Sequence, residues 1–292
     1  MEVLEKFEGN SWRGPFSTGQ KDRALEALEH GRVLFFPNLT FQLQSEEAGF
    51  LSPSWSSGRA KNISLDLSRA QMKGTHVTGD EAERLLAMMA RYAQETRHLI
   101  EALLPAYTPH LEQARTSFRP VEVVGRMSSP KKDDRRLHTD AFPSRPTRGA
   151  RILRVFSNVN PSGHPRIWRI GEPFEALAKR FFPSLSSPLP GAASLLVLLR
   201  ITKGRRSPYD HLMLQLHDRA KLDTRYQREV AQDEVAFPPG STWIVFTDQV
   251  LHAALGGQYL FEQTFHLPIS AQHWPDLSPL RVLERLSRRS LA

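Results

Sequence analysis

The sequence predicts an α+β, mainly β fold in which a β-rich core sits between flanking α-helices. Three observations predict it. Short runs rich in Val, Ile, Phe and Thr, punctuated by Pro and Gly, recur between Thr116 and Leu267. Asp80 to Leu104 carries the strongest helical period in the chain. The pair His138-x-Asp140 and the distant His252 lie in or beside strand-like runs, where a sheet can bring remote side chains together.

A chain of 292 residues can bury a sizeable core. We expect one domain over 1–292. Residues 1–110 form a helical N-terminal part packed on the core, 111–270 form the β core with an insertion, and 271–292 hold a C-terminal helix. A hydrophobic content of 40% with 24% charged residues is that of a soluble globular protein. No cysteine is present, which excludes disulfides, zinc-thiolate sites, iron–sulfur clusters and cysteine nucleophiles. The start, Met1-Glu2-Val3-Leu4-Glu5-Lys6, lacks the apolar stretch of a signal peptide. No apolar run is long enough to span a bilayer. A net charge of +8 favours anionic partners without choosing among them.

In chain order, residues 1 to 19 read as a loose lead-in. Lys21 to His30 has helical spacing and stops at Gly31. Arg32 to Phe36 is a strand ended by Pro37-Asn38, and residues 44 to 78 read as irregular with short strands. Thr78 or Asp80 can cap the long helix, Met88 and Met89 belong to its core face, and Pro105 ends it. Thr116 to Gly125 reads as a strand. Lys131 to Arg136 is a mixed charge run expected in solvent. Arg151 to Val159 is β-rich, and Glu172 to Phe182 is helical. Gly191 to Ile201 is apolar and fits either a strand or a buried helix. Tyr209 to Lys221 reads as a short helix. Thr242 to Thr247 and Tyr259 to Leu267 read as strands, the second following the glycine turn Gly256-Gly257. A basic helix, residues 281 to 291, closes the chain and is a candidate contact for an anionic membrane face.

Groups two residues apart on an extended strand point to the same side, so His138 and Asp140 can grip one ion. His252 is the candidate third ligand. Two imidazoles and one carboxylate on one face of a metal leave the opposite positions open, which is the arrangement of non-haem Fe(II) oxygenases. His211 and His217 fall in a helical insertion with no acidic residue in register, and His266 lies along the last strand.

Five stretches carry a resemblance to a known family: His138-Thr139-Asp140-Ala141-Phe142-Pro143, Arg154 to Pro161, Pro239-Gly240-Ser241-Thr242-Trp243, Asp248 to Ala253, and Glu262 to Pro268. The block from Leu137 to Pro268 resembles the Kdo 3-hydroxylases, Fe(II)/2-oxoglutarate dioxygenases that act on Kdo (3-deoxy-D-manno-oct-2-ulosonic acid) of lipid A. The resemblance implies a double-stranded β-helix (jelly-roll, cupin-like) core. It also implies Fe(II) on His138, Asp140 and His252, with 2-oxoglutarate and O2 as co-substrates, ascorbate as a candidate auxiliary, and hydroxylation at C3 of a Kdo sugar with release of succinate and CO2. Many relatives bind the far carboxylate of 2-oxoglutarate with an Arg on the last strand, but positions 258 to 266 hold no Arg or Lys. Arg154 is the nearest match to a cation on the earlier strand, with Gln263 and Thr264 as further contacts. Arg145, Arg148, Arg151, Arg166 and Arg169 would face the anionic sugar, and Trp168 is a candidate sugar-stacking ring. The implied partner is Kdo-lipid A or a related anionic glycolipid. No nucleic acid is expected. The implied location is the cytoplasm, peripheral to the inner membrane of a Gram-negative cell; the oligomeric state stays open. The same chemistry on a protein side chain or nucleic acid, or a non-catalytic sugar-binding β-sandwich, are the alternatives.

Overall fold

The computed structural model describes residues 3–58, 60–125, 128–189 and 191–292. Met1 and Glu2 of the lead-in therefore lie outside the described residues. Among the described residues, eleven strands form two sheets. The strands are β1 (Leu4–Lys6), β2 (Val33–Phe36), β3 (Ile63–Asp66), β4 (Gln71–Lys73), β5 (Glu112–Arg119), β6 (Arg151–Asn158), β7 (Arg166–Ile170), β8 (Asp233–Phe237), β9 (Thr242–Phe246), β10 (His252–Gly256) and β11 (Leu260–Leu267). The larger sheet runs β1-β2-β9-β6-β11-β5-β3-β4, and the smaller runs β10-β7-β8. The first 73 residues thus supply four strands of the large sheet. A part of the lead-in read as loose is β1, paired in parallel with β2; three residues are too few to show a period.

The α-helices are α1 (Thr18–Glu29), α2 (Gly79–Leu103), α3 (Phe174–Phe181), α4 (Ala192–Leu198), α5 (Pro208–Leu222), α6 (Thr224–Glu229) and α7 (Pro279–Ser287). Ser17 opens α1 and Ser207 opens α5, each through a capping box that satisfies orphan amide groups. Thr78 occupies the N-cap of α2, but its side chain makes no capping hydrogen bond. Leu85, Met88, Met89, Tyr92 and Leu99 bury the inner face of α2 against the large sheet.

Strand alternation divides the central strand β6 between two cores. Leu153 and Val155 pack with Ile244, Phe246 and Phe265 under α1 and α2. Phe156 points the other way, into a second core between the sheets with Trp168, Val235, Phe237 and Trp243. Arg154 shares the second face, because it is offset from Phe156 by two residues. A third core holds α3, α5 and α7 around Leu137 and Leu251.

Several expectations are corrected. The strand expected at 116 to 125 is β5, four residues earlier at its start and ended by Pro120. The charge run is only partly solvated: Asp134 accepts from Lys61 Nζ at 2.7 Å, and Lys221 Nζ lies 3.6 Å away. Gly191 to Ile201 is neither strand nor buried helix; it contains the exposed helix α4. The C-terminal basic helix is α7. Leu280, Val282 and Leu283 are buried in the protein, so its apolar side is already covered.

Candidate metal centre

His138 and Asp140 lie in an extended segment rather than a regular strand. Two hydrogen bonds pair that segment with the start of β10: His138 N–H donates to His252 O at 3.1 Å, and His252 N–H donates to His138 O at 2.9 Å. Asp140 N–H donates to Thr247 O at 2.8 Å. This pairing sets the two histidines side by side, with ring centroids 4.7 Å apart. One ligand atom from each of His138, Asp140 and His252 lies within 4.8 Å of the others.

Both imidazoles are oriented by their own chain. Nδ1 of His138 lies 2.7 Å from Arg136 O, and Nδ1 of His252 lies 2.9 Å from Val250 O. A carbonyl can only accept, so each Nδ1 carries the proton and each Nε2 keeps its lone pair. Trp168 stacks on the His252 ring at 5.0 Å and fixes its plane. Burial, reinforced by His252 and Lys221, holds His138 well below the ordinary histidine value of 6.5, and burial lowers His252 also. Both are therefore neutral ligand donors at neutral pH. Burial pushes the Asp140 carboxyl up, but the charge of Arg154 outweighs it and keeps it ionised. Asp140 Oδ2 is buried without a hydrogen bond of standard geometry, and its 3.1 Å approach to Arg154 Nη1 is a charge contact. A neutral imidazole pair with an ionised, under-satisfied carboxylate fits a divalent ion such as Fe(II).

These shifts have a pH consequence. A histidine whose folded value lies below its unfolded value contributes stability above about 6.5 that is lost as pH falls. The metal-free protein is expected to melt at progressively lower temperature as pH drops from about 7.5 to about 5.5. A melting temperature flat across that range in calorimetry would contradict the buried neutral histidines.

The site opens onto a buried polar row. Arg154 Nη1 also meets Glu262 Oε1 at 3.2 Å, and Arg119 Nη2 meets Glu262 Oε2 at 2.5 Å. Arg154 Nε is buried without a hydrogen-bond partner. Thr264 pairs directly with Arg154 across β11 and β6, so the two share a face. Gln263, one residue away, points to the opposite side. It is fully buried there, accepts from Thr116 Oγ1 at 2.6 Å, and cannot reach the metal face.

The candidate substrate arginines separate into three environments. Arg145 and Arg148 sit on the loop after the metal segment, half-buried and exposed respectively. Arg151 is fully buried on the helix side of β6; its Nε donates to Asp248 Oδ2 at 2.7 Å and its Nη2 to Gln249 Oε1 at 2.6 Å. Arg166 is buried too and donates to Gly257 O at 2.8 Å. Burial pushes its pKa down to about 9. Gly257 is required there: its φ is +113°, and a Cβ would come 2.9 Å from Arg166 Cδ. Arg169 faces away, 3.9 Å from exposed Glu234. Arg151 is thus corrected from a substrate contact to a structural cation and Arg169 to a surface cation, while Arg166 keeps a buried Nε without a hydrogen-bond partner on the Trp168 face of β7. Trp168, buried in the second core, cannot stack on a sugar. Arg151→Ala is expected to cost about 3–5 kcal/mol of stability by stranding Asp248. Denaturant unfolding would show that loss, while the 2-oxoglutarate requirement of the folded fraction stays unchanged.

The sequence reading missed Arg119, Asp134, Lys221 and Glu262, which meet only where the neighbouring strands β5 and β11, the loop before His138 and α5 come together. It named His217 but set it aside as part of a helical insertion; its ring stands edge-on to His138 at 5.3 Å.

Fold and site together set two imidazole nitrogens and one carboxylate oxygen, a donor set suited to a single divalent ion, on a two-sheet scaffold. The family model for 3-deoxy-D-manno-oct-2-ulosonic acid (Kdo) hydroxylases matches residues 11–290. The chain belongs to the Kdo hydroxylase family. Solved structures agree. It is 52% identical to the Kdo hydroxylase KdoO, a non-haem Fe(II), α-ketoglutarate-dependent dioxygenase crystallised with α-ketoglutarate and Fe(III); the match covers 99% of this chain and 97% of that one, at a TM-score of 0.96. The cobalt(II) complex of the same enzyme matches at 0.97 and its succinate and Fe(III) complex at 0.96, with the same identity and coverage. No curated protein matches the chain.

Proposed function

We propose that the protein is an Fe(II)/2-oxoglutarate-dependent dioxygenase that hydroxylates C3 of a Kdo sugar on Kdo-lipid A, releasing succinate and CO2. The observation that carries this reading is the convergence of His138, Asp140 and His252 within 4.8 Å, in a chain 52% identical to an enzyme crystallised with iron and α-ketoglutarate. In it, the two sheets that enclose Phe156 and Trp168 are the halves of a double-stranded β-helix, and the whole chain works as one domain.

His138 and His252 present Nε2, and Asp140 one carboxylate oxygen, to Fe(II). When bound, the iron supplies O2 activation coupled to oxidative decarboxylation of 2-oxoglutarate and the C–H oxidation that follows. Arg154 holds the far carboxylate of 2-oxoglutarate through donors that Asp140 and Glu262 leave free, and Thr264 offers a hydroxyl on the same face. Glu262 and Arg119 keep Arg154 in place. The buried core behind Trp168 keeps bulk water from that side of the site. Arg145 and Arg148, on the loop after the ligands, meet the sugar carboxylate or nearby phosphates.

Among the described residues, no helix is long and apolar enough to cross a membrane. A lipid-linked substrate and a cytosolic co-substrate place the protein on the cytoplasmic face of the inner membrane of a Gram-negative cell. Mass spectrometry of Kdo-lipid A after incubation with Fe(II), 2-oxoglutarate and O2 tests the function. A gain of one oxygen matched by succinate is expected; unchanged lipid without succinate would reject it.

A further inference from the structure

The segment from Leu189 to Arg206 breaks the rule that large apolar side chains are buried. Leu195, Leu198, Leu199 and Ile201 are each more than half exposed, and Leu189 is 78% exposed. Among the described residues, six of the nine exposed large hydrophobics fall between Leu189 and Ile201. Scattered exposed apolar residues need no explanation; a contiguous patch does. The fold does not leave this segment loose. Lys203 N–H donates to Ser144 O at 2.9 Å, Arg206 Nη2 to Pro143 O at 2.5 Å, and Arg148 Nε to Arg205 O at 3.3 Å. The patch is therefore fastened to the loop that begins three residues after Asp140.

Charge selects the occupant. Residues 189 to 206 contain Arg200, Lys203, Arg205 and Arg206 and no acidic residue. Beside them lies a shallow cavity lined by Arg69, Arg145, Arg148 and Lys203. Its one carboxylate, Asp66, is 3.4 Å from Arg115. The field there is strongly positive: Arg145 foremost, then burial, Arg115, Lys73 and Arg69, pushes the Lys203 ammonium below its usual pKa. Two copies of this surface would repel each other, so self-association does not suit it. Leucines ringed by cations match a bilayer with anionic headgroups, where apolar side chains enter the acyl boundary and cations meet phosphates.

We propose that α4, the residues up to Ile201 and the cation basin around Arg145 and Lys203 dock the protein on an anionic lipid bilayer, with the metal centre opening beside the lipid surface. This rests on the reading that the substrate is lipid-linked.

The test uses the full chain and sedimentation with vesicles of phosphatidylethanolamine and phosphatidylglycerol that contain no glycolipid. Wild type is expected to bind them and to bind phosphatidylcholine vesicles far less. Leu195→Glu with Leu198→Glu is expected to weaken binding roughly a hundredfold. Lys203→Glu with Arg69→Glu is expected to weaken it roughly tenfold. The leucine pair is exposed, so the variant should keep its melting temperature. It should also keep wild-type succinate formation on a water-soluble Kdo glycoside while losing activity on vesicle-embedded substrate. Undiminished binding by the leucine variant overturns the proposal, as does wild type that ignores anionic vesicles or binds only inorganic phosphate. A dimer that the leucine variant splits, with vesicle binding intact, would make the face a contact between copies and also overturns it. Vesicle binding without turnover of any Kdo substrate would leave the docking surface standing and remove the substrate reading instead.

Discussion

His252→Ala is expected to abolish metal retention and succinate formation together. In the proposed centre the residue supplies the one ligand that does not come from the 138–140 segment, and its ring is held between His138 and Trp168. Truncation leaves one imidazole and one carboxylate, which cannot enforce a three-point face on the ion. Loss of a group that merely orients a ligand costs about 10–100-fold in metal affinity, so removing the ligand itself should cost more. Turnover should fall by on the order of 10³-fold or more, because groups acting as a unit fail together. Calorimetric titration with Co(II) in the absence of oxygen measures the metal step alone. His211→Ala, in α5, is the control and should bind like wild type. A His252→Ala protein that still takes up one equivalent of cobalt with undiminished affinity would remove the metal assignment.

Arg154→Ala should show a different pattern, with metal retained and 2-oxoglutarate demand raised. A charge-assisted contact contributes about 1.5–3 kcal/mol, which converts to a rise of about ten- to a hundredfold in KM for the co-substrate. Arg154→Lys should recover only part of it, since an ammonium cannot match a carboxylate at two points. The fold should persist because Arg119 still neutralises Glu262. Steady-state titration with 2-oxoglutarate at saturating iron reads the effect. An unchanged KM for Arg154→Ala would move the carboxylate anchor to another cation in the same row.

The contrast between the two sites explains what was legible in the sequence. His138 and Asp140 were readable because a spacing of two is local and fixes one side of an extended chain. His252 needed the added step of pairing a second segment, which the glycine turn after it helped to locate. The arginines were read less well because parity decides everything on a strand. Arg151 and Arg154 differ by three, so one faces Asp248 under the helices and the other faces the metal ligands. The same parity separates Gln263 from Thr264. Arg119 and Glu262 meet across 143 residues of sequence, with no local pattern to announce them. In α4, composition misled in the other direction, because an apolar run does not reveal whether the protein or something outside it covers the run.

Glu29 makes the centre depend on remote parts of the chain. Its buried carboxylate accepts from Tyr107 Oη at 2.7 Å and from the amides of His273 and Trp274 at 2.9 and 2.6 Å. Its carbonyl accepts from Gln249 Nε2 at 3.1 Å, and Gln249 also holds Arg151. The turn that delivers His252 is thus clamped by groups that lie far apart in the sequence. A seat for an ion is complete only once the segment at 273 and 274 has folded back onto the end of α1.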